Sequence, residues 1–439
     1  MKVLLVGNGA REHIIAERLA QDCELYAVMS RKNPAIAQLS KRYWICDIEN
    51  ADAVAKTLTA AMSGSGLRFD LGFASPDATL AAGVSDALAA AGMLVASPTK
   101  AASRIEWDKA FMRNILRKHK VMGSPRYELI SDPSEVLKVV KDYGDVAVKP
   151  LGLTGGKGVR VSGDHLTDAG HATEYAVSLI RKDGIVLIEE KIIGEEFTLQ
   201  AFCDGSRSST MPPVQDHKRA FSGDTGPNTG GMGSYSTGAC LPFIRNSDID
   251  EGRKVIQQTI HALKKEGAPF HGVLYGQFMA TSDGVRVVEF NARFGDPEAM
   301  NVLAVLKDPL SNTLLSVAEG RLDPPSFEDA CTVVKYLVPE GYPENPRKDA
   351  AITVDAAGME SCGASVYYAS VYDEGGKIMT TGSRALAILG KGRTLHDAER
   401  IAEKGCSKVS GPVWHREDIG TTKLVQSRID RMESLRGSG

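Results

Sequence analysis

The feature that most constrains this chain is the alternation of short apolar runs with helical stretches over roughly its first hundred residues. Val3–Val6, Leu25–Met29, Asp70–Ala74 and Leu94–Ala96 read as short strands, and Val3–Val6 as a buried one. Glu12–Ala20, Asp52–Met62 and the alanine-rich stretch Ala78–Ala91 read as helices. Short strands separated by helices imply βαβ units and a parallel sheet. Ser97-Pro98-Thr99 then opens a helix holding Trp107, Lys109 and Phe111. With 439 residues, the chain is too long for one core, so several domains are expected.

A second unit starts near Tyr127, with strands over Asp145–Pro150, Val159–Ser162 and Val186–Glu190 around a glycine-rich turn and a helix over Ala172–Arg181. A mixed segment follows: a long Gly/Pro/Asn loop (Asp216–Ser236), a helix (Asp248–Glu266), a hairpin (Val273–Asn291) and a helix (Leu310–Glu319). Asp323-Pro-Pro325 marks a boundary, and the remainder reads as a small strand-rich domain. The expected class is therefore α/β and α+β multidomain, divided as 1–102, 103–326 with a mobile lid over about 127–194, and 327–439.

Composition narrows the function classes. The net charge of −3 gives no global pull toward nucleic acid or anionic membrane, so any phosphate site must be local. The apolar runs are too short to span a bilayer. The N-terminus lacks a small-residue cleavage site and reads as a first strand. Seven scattered cysteines point to a reducing cytoplasm, and nine histidines without metal-ligand spacing argue against a histidine-built metal site.

Two nucleotide motifs are incomplete. Gly7-Asn-Gly9-Ala-Arg-Glu12 follows a strand and opens a helix, but Glu12 holds the third glycine's place. The second strand ends at Met29-Ser30-Arg31, with no acidic residue for a ribose hydroxyl. The N-terminal unit is thus Rossmann-like without a dinucleotide, its first helix N-terminus free to bind an anion beside Arg11 and His13. In the other, Gly155-Gly156-Lys157-Gly158, Leu151 and Gly158 break the Walker pattern, and the loop lies between two strands. Such a loop can still drape its amides over phosphates.

The remaining chemistry converges. Lys149 ends a buried strand just before the glycine loop, where lysine is a poor core residue and points at something anionic. With Lys109 and the flap Gly155, Gly156, Lys157 and Gly158, it would close on a triphosphate from two sides. The acidic turn around Glu190 and Glu196 suits an adenine amino group and ribose hydroxyls, with backbone amides beside Ile192 and Ile193 at the purine edge. In the hairpin, a three-residue Ser282-Asp283-Gly284 turn predicts Gln277 opposite Glu289, with Asn291 on the same face. Three hard oxygen ligands point to Mg²⁺ or Mn²⁺.

Lys109, Lys149 with the glycine loop, the acidic hinge and Glu289-x-Asn291 together resemble the ATP-grasp superfamily. More narrowly, Gly7–His13, Gln215–Arg219, Asp224–Gly233 and Glu289–Glu298 resemble the phosphoribosylamine–glycine ligase family of purine biosynthesis, and the likeness runs essentially end to end. Ser75-Pro-Asp77 stands where that family usually has Gly-Pro-Glu, and Pro150–Gly158 departs from its usual loop.

The resemblance implies an ATP-grasp central domain that uses ATP and a divalent metal to join glycine to 5-phosphoribosylamine through a glycyl phosphate. It implies Gln277, Glu289 and Asn291 as metal ligands, and Lys109 and Lys149 on the α- and β-phosphates. Glu190, Ile193 and Glu196 would lie at adenine and ribose, and Arg293 on the glycine carboxylate and acyl phosphate. Asp216, Lys218, Asp77, Asn228, Thr229, Asp296 and Glu298 would face the amine substrate, with Gly9 and Arg11 at its phosphate. A cytoplasmic monomer or weak homodimer is expected. The rival readings are another ATP-grasp ligase, using formate or bicarbonate, and a nucleotide sensor without catalysis.

Overall fold

The computed structural model describes residues 1–63, 66–152 and 158–437, so Gly155, Gly156 and Lys157 of the expected flap lie outside it. The N-terminal unit is a five-stranded sheet, ordered Arg42–Ile45, Glu24–Met29, Lys2–Val6, Leu71–Ala74, Leu94–Val95. Every pair is parallel. Val3 to Val6 are wholly buried, as a strand covered on both faces must be, and this explains the unbroken apolar run.

Arg42–Ile45 was not expected as a strand, because an edge strand with an exposed arginine and a half-exposed isoleucine carries little alternation. The helix Pro34–Leu39 was also missed, although Asn33 caps it through Ala35 and Ile36 amides and Pro34 opens it. The helix read over Ala78–Ala91 is two, Asp77–Ala82 and Val84–Ala90, divided by Gly83 at φ +90. The helix read through Trp107 and Lys109 is also two, Lys100–Trp107 and Lys109–Lys118. Asp108 is extended, and its carboxylate caps the second helix through the Phe111 amide at 2.9 Å. Lys109 therefore starts a helix, beside the strand that leads into the glycine loop.

The segment expected to act as a lid folds into an antiparallel sheet, ordered Tyr127–Ile130, Val186–Glu190, Val146–Lys149, Arg160–Val161. Helices Pro133–Tyr143 and Ala169–Asp183 cover one face and enclose a separate core of Ile130, Val136, Val140, Val148, Ile180 and Ile188. Its other face presents Ala147, Lys149, Leu187 and Glu189 toward the body. The chain leaves through Lys191–Gly194. A Cβ at Gly194 would sit 1.9 Å from the Ala280 carbonyl oxygen, so only glycine lets the link pass this close to the body.

The body sheet runs Ser208–Thr210, Glu195–Asp204, His271–Thr281, Gly284–Asn291, with helix Asn246–Lys265 packed on it. The expected loop over Asp216–Ser236 holds short strands at Gln215–Asp216, Arg219–Phe221, Thr225–Asn228 and Gly233–Ser236. Strands this short show no periodicity. The first and last of them join Cys331–Pro339, Leu386–Gly392, Ser365–Tyr368 and Val413–Trp414 in a six-stranded sheet. A single sheet therefore crosses the expected boundary at 326/327, because the strands pair on either side of it. All seven cysteines are unpaired thiols. Among the described residues no helix is long and apolar enough to cross a membrane.

Candidate active site

A cavity of about 780 Å³ opens between lid and body. Its wall carries Lys109, Lys149, Glu190, Glu196, Gln277, Glu289, Asn291 and Arg293, together with Arg11, Asp77, Asp216, Lys218, Asn228, Thr229, Asp296 and Glu298. Three expected residues sit elsewhere. Ile193 is exposed and off the wall, which carries Lys191, Ile192 and Gly194 instead. Gly158 is off the wall, with its carbonyl accepting from the Tyr175 hydroxyl at 2.7 Å. Gly9 is also off the wall, and its amide donates to Glu12 at 2.6 Å. The protein's own carboxylate thus occupies the helix N-terminus that was expected to hold a phosphate.

The hairpin brings Gln277 opposite Glu289 and Tyr275 opposite Asn291, the pairing expected, but by a different route. The turn has two residues, Ser282 and Asp283, between paired Thr281 and Gly284. On its own this would shift the register by one. A bulge at Val288 restores it, since Phe278 pairs with Val287 while Gln277 pairs with Glu289. The bulge also changes which face each residue takes. Val285 and Val287 are buried in the core, and so is Phe290, while Glu289 and Asn291 turn to the cavity. Strict alternation would have put Glu289 on the valine face. The bulged carbonyl of Val288 accepts from Arg113 at 2.9 Å and from Lys149 at 3.5 Å.

Cations and carboxylates interlock at this end. Glu189 joins Arg113, at 2.5 and 3.0 Å, to Lys149 at 2.7 Å, with all three side chains buried. Burial pushes the Glu189 carboxyl up, but Arg113 and Lys149 outweigh it and hold it below the usual range. Lys109 donates to the Gly152 carbonyl at 2.9 Å, and burial lowers its ammonium against the pull of Glu289. Glu289 is likewise lowered: burial raises it, and Lys218, Lys149, Lys109 and Arg293 together prevail.

The donor set fits a hard divalent cation that arrives with phosphates. The Gln277 Oε1 atom is buried with no hydrogen-bond partner among the described residues. Its amide nitrogen donates to Glu196, and the Asn291 oxygen accepts from Arg293 at 3.2 Å. Among the described residues no cluster of three His, Cys, Asp or Glu side chains could hold a metal alone. One carboxylate with amide oxygens is a set that phosphate oxygens complete.

Arg293 lies 3.1 Å from Glu106, whose other oxygen accepts from the Ala292 amide at 2.8 Å. Burial pushes Glu106 up to about 7, with Arg293 opposing and Asp77 reinforcing. Asp77 itself is lowered, because Arg293 and Arg11 outweigh its burial.

Beyond Arg293 the balance changes. The Asp216 side chain is 4% exposed, and burial pushes its carboxyl up to about 7 although Lys218 lies 3.8 Å away. Lys218 also lies 3.7 Å from Glu196. Glu298 accepts from the Tyr275 hydroxyl at 2.8 Å and is raised by burial. Some expected substrate contacts are already engaged. Asp296 pairs with Arg384 at 3.0 Å and accepts from the Tyr336 hydroxyl. The Thr229 hydroxyl donates to the Lys218 carbonyl at 2.8 Å.

Glu106, Glu189, Arg384 and Arg428 line this cavity but were not picked out in the sequence. Glu189 was legible: counting alternate residues from Lys149 across the lid pairing places it on the same face. Arg384 and Arg428 come from the distant third unit and gave no signal.

Models of the phosphoribosylglycinamide synthetase N domain, ATP-grasp (A) domain and C domain match residues 1–106, 107–299 and 332–422. A phosphoribosylamine–glycine ligase from Methanosarcina acetivorans is 48% identical, covering 100% of this chain and 98% of that one. One from Pyrococcus horikoshii is 47% identical, covering 99% and 98%. The crystal structure of the Thermotoga maritima ligase superposes with a TM-score of 0.80 at 26% identity, over 95% of this chain and 100% of that one. A biotin carboxylase domain from Hydrogenobacter thermophilus, crystallised with MgADP and bicarbonate, gives a TM-score of 0.70 at 14% identity, over 100% of this chain and 95% of that one. That likeness is one of fold. Matched from its first sheet to its last, the chain belongs to the phosphoribosylglycinamide synthetase family.

Proposed function

We propose that this chain uses ATP to join glycine to 5-phosphoribosylamine, giving glycinamide ribonucleotide, ADP and phosphate in purine biosynthesis. The observation that supports it most is the run from Glu289, on the strand Gly284–Asn291, to Arg293 in the bend that follows it. A carboxylate fit for metal–phosphate and a guanidinium fit for a carboxylate lie four residues apart on one cavity wall. The residue division 1–102, 103–326 and 327–439 is kept as three functional units, with the lid as the part that moves.

A carboxylate does not acylate an amine while its leaving group is oxide. Transfer of the ATP γ-phosphoryl to glycine makes an acyl phosphate, and ADP leaves. The amine then attacks the carbonyl, phosphate leaves and the amide forms. Lys109 and Lys149 hold the ATP phosphates, Glu190 and Glu196 lie by adenine and ribose, and Arg293 orients the glycine carboxylate. Gln277, Glu289 and Asn291 would hold Mg²⁺ or Mn²⁺, which supplies charge neutralisation between phosphate oxygens. Asp216, Lys218, Asn228 and Glu298 face the amine, with Asp77 and Arg11 toward its phosphoribosyl end. Asp216 is the group suited to take the proton the amine sheds on attack. Lid closure keeps water from the acyl phosphate.

The enzyme is proposed to work in the cytoplasm as a monomer or weak homodimer. A coupled ADP assay tests the reading: release should require both glycine and freshly made phosphoribosylamine, with Mg²⁺ compared against Mn²⁺. Equal release with formate or bicarbonate, or ATP binding with no substrate-dependent turnover, would overturn it.

A further inference from the structure

The helix Thr422–Gly437 begins at the residue where the last family match ends, and nothing in the proposed chemistry uses it. Three of its arginines reach back to the body. Arg436 donates to the Thr281 carbonyl at 3.0 Å and to Asp248 at 2.8 Å, away from the cavity. Arg431 and Arg428 line the cavity. Arg431 lies 3.1 Å from Glu195. Arg428 lies 3.4 Å from Glu195 with one nitrogen, and its other terminal nitrogen donates to Asp224.

These two partners sit on segments with different duties. Glu195 is the first residue of the body strand after the lid link Lys191–Gly194, and its neighbour Glu196 touches Gln277 and Lys218. Asp224 precedes the strand Thr225–Asn228, whose Asn228 faces the cavity along with Thr229. Asp224 also stands at φ +53, a left-handed conformation uncommon for non-glycine residues and one that aspartate tolerates better than most. Arg416 fixes one of its oxygens at 2.8 Å, and Arg428 takes the other.

We infer that Arg428 is a positioning residue for ligation: one guanidinium ties the lid hinge to the ribbon that faces the amine, so that the acyl phosphate forms against an ordered acceptor side. Removing Arg428 strands no buried charge, because Glu195 keeps Arg431 and Asp224 keeps Arg416. The two segments should therefore loosen from each other while the fold persists, with Lys218 at 3.7 Å from Glu196 as a remaining link. The inference rests on the ligase reading for its kinetic consequence and on geometry alone for the mechanical link.

The test compares Arg428→Ala, Arg428→Lys and Arg436→Ala in the full chain. In Arg428→Ala without ligands, hydrogen exchange should rise at both 191–196 and 222–229. In turnover, KM for the amine should rise roughly tenfold, within the coupling range of contacting residues. ADP should also be released in excess of glycinamide ribonucleotide, because unprotected acyl phosphate is lost to water. Arg428→Lys, with one donor centre in place of a fork, should fall between Ala and wild type. Arg436→Ala should loosen the end of the helix yet keep the wild-type ratio of ADP to product. Unchanged exchange at both segments with an unchanged ratio in Arg428→Ala would overturn the inference, as would the same excess of ADP in Arg436→Ala. If wild type fails to release ADP with glycine and amine, the ligase reading falls while the exchange arm still decides the link.

Discussion

At the proposed nucleotide end of the cavity, Glu189, buried, and Glu289, half-buried, sit among cations and stay ionised. At the acceptor end burial prevails: the nearest cation to Asp216 is Lys218 at 3.8 Å, with Glu298 and Glu196 pushing its carboxyl further up, and Glu298 is raised although Lys218 and Arg293 oppose. The same residue type is thus set for two tasks by its neighbours. In the proposed reaction one end keeps fixed charge ready for a triphosphate and its metal. The other exchanges a proton with an amine, which needs a carboxyl that titrates near neutrality.

The largest effect expected at the fixed-charge end is from Glu289→Ala. It removes the one carboxylate of the donor set, so kcat/KM should fall about a thousandfold or more, on the order of 4 kcal/mol. Thermal unfolding should change little, because Glu289 faces the cavity and not the core. Wild-type turnover would show that charge at this end is not organised around Glu289. Arg113→Ala should follow in size. It leaves Glu189 buried with Lys149 as its remaining cation, at a cost of about 3 kcal/mol. The loss should show as faster exchange in the lid strands before the body, since the lid has its own core. Uniform destabilisation of the whole chain would mean that Glu189 does not fasten the lid.

Asp216→Asn sharpens the comparison by acting with opposite signs on stability and turnover. A carboxyl raised to about 7 holds an extra proton in the folded state above its unfolded pKa near 4. Native stability therefore falls as pH climbs from about 4 to about 7, and stays lowered above that. Asparagine removes the titration, so the variant should gain up to about 4 kcal/mol at pH 8 over wild type and nothing at pH 4. Turnover should drop, and the wild-type activity limb that rises through pH 7 should vanish. A variant less stable than wild type at pH 8 would place Asp216 with the ionised carboxylates instead.

How much of this could be read in the sequence depended on how local the cause was. The parallel sheet was legible because buried strands of Val, Leu and Ala repeat with helices between them. The Gln277–Glu289 pairing was predicted, but through a three-residue turn the hairpin does not use. Adjacent Val287 and Val288 before Glu289 are the trace of the bulge: apolar residues occupy both parities there, and one of them must leave the ladder. Gly9 misled because its motif describes the chain before Glu12 folds back over the helix end. Arg384 and Arg428 reach the cavity only through the packing of the third unit, which leaves no periodic signature.

The smallest effect expected is from Asp77→Glu, which restores the residue usual at this position in the family it resembles. Asp77 lies at the acceptor end, yet it is held ionised like the nucleotide-end carboxylates, because Arg293 and Arg11 outweigh its burial. Glutamate keeps that charge and adds one methylene to the wall, so the change should stay below about 1 kcal/mol in kcat/KM, mostly in KM for the amine. Asp77→Asn, which removes the charge facing two arginines, should cost more. If Asp77→Glu instead shifts the pH dependence of turnover as Asp216→Asn does, Asp77 shares in proton transfer, and the division between fixed and titrating carboxylates runs through Arg293 rather than beyond it.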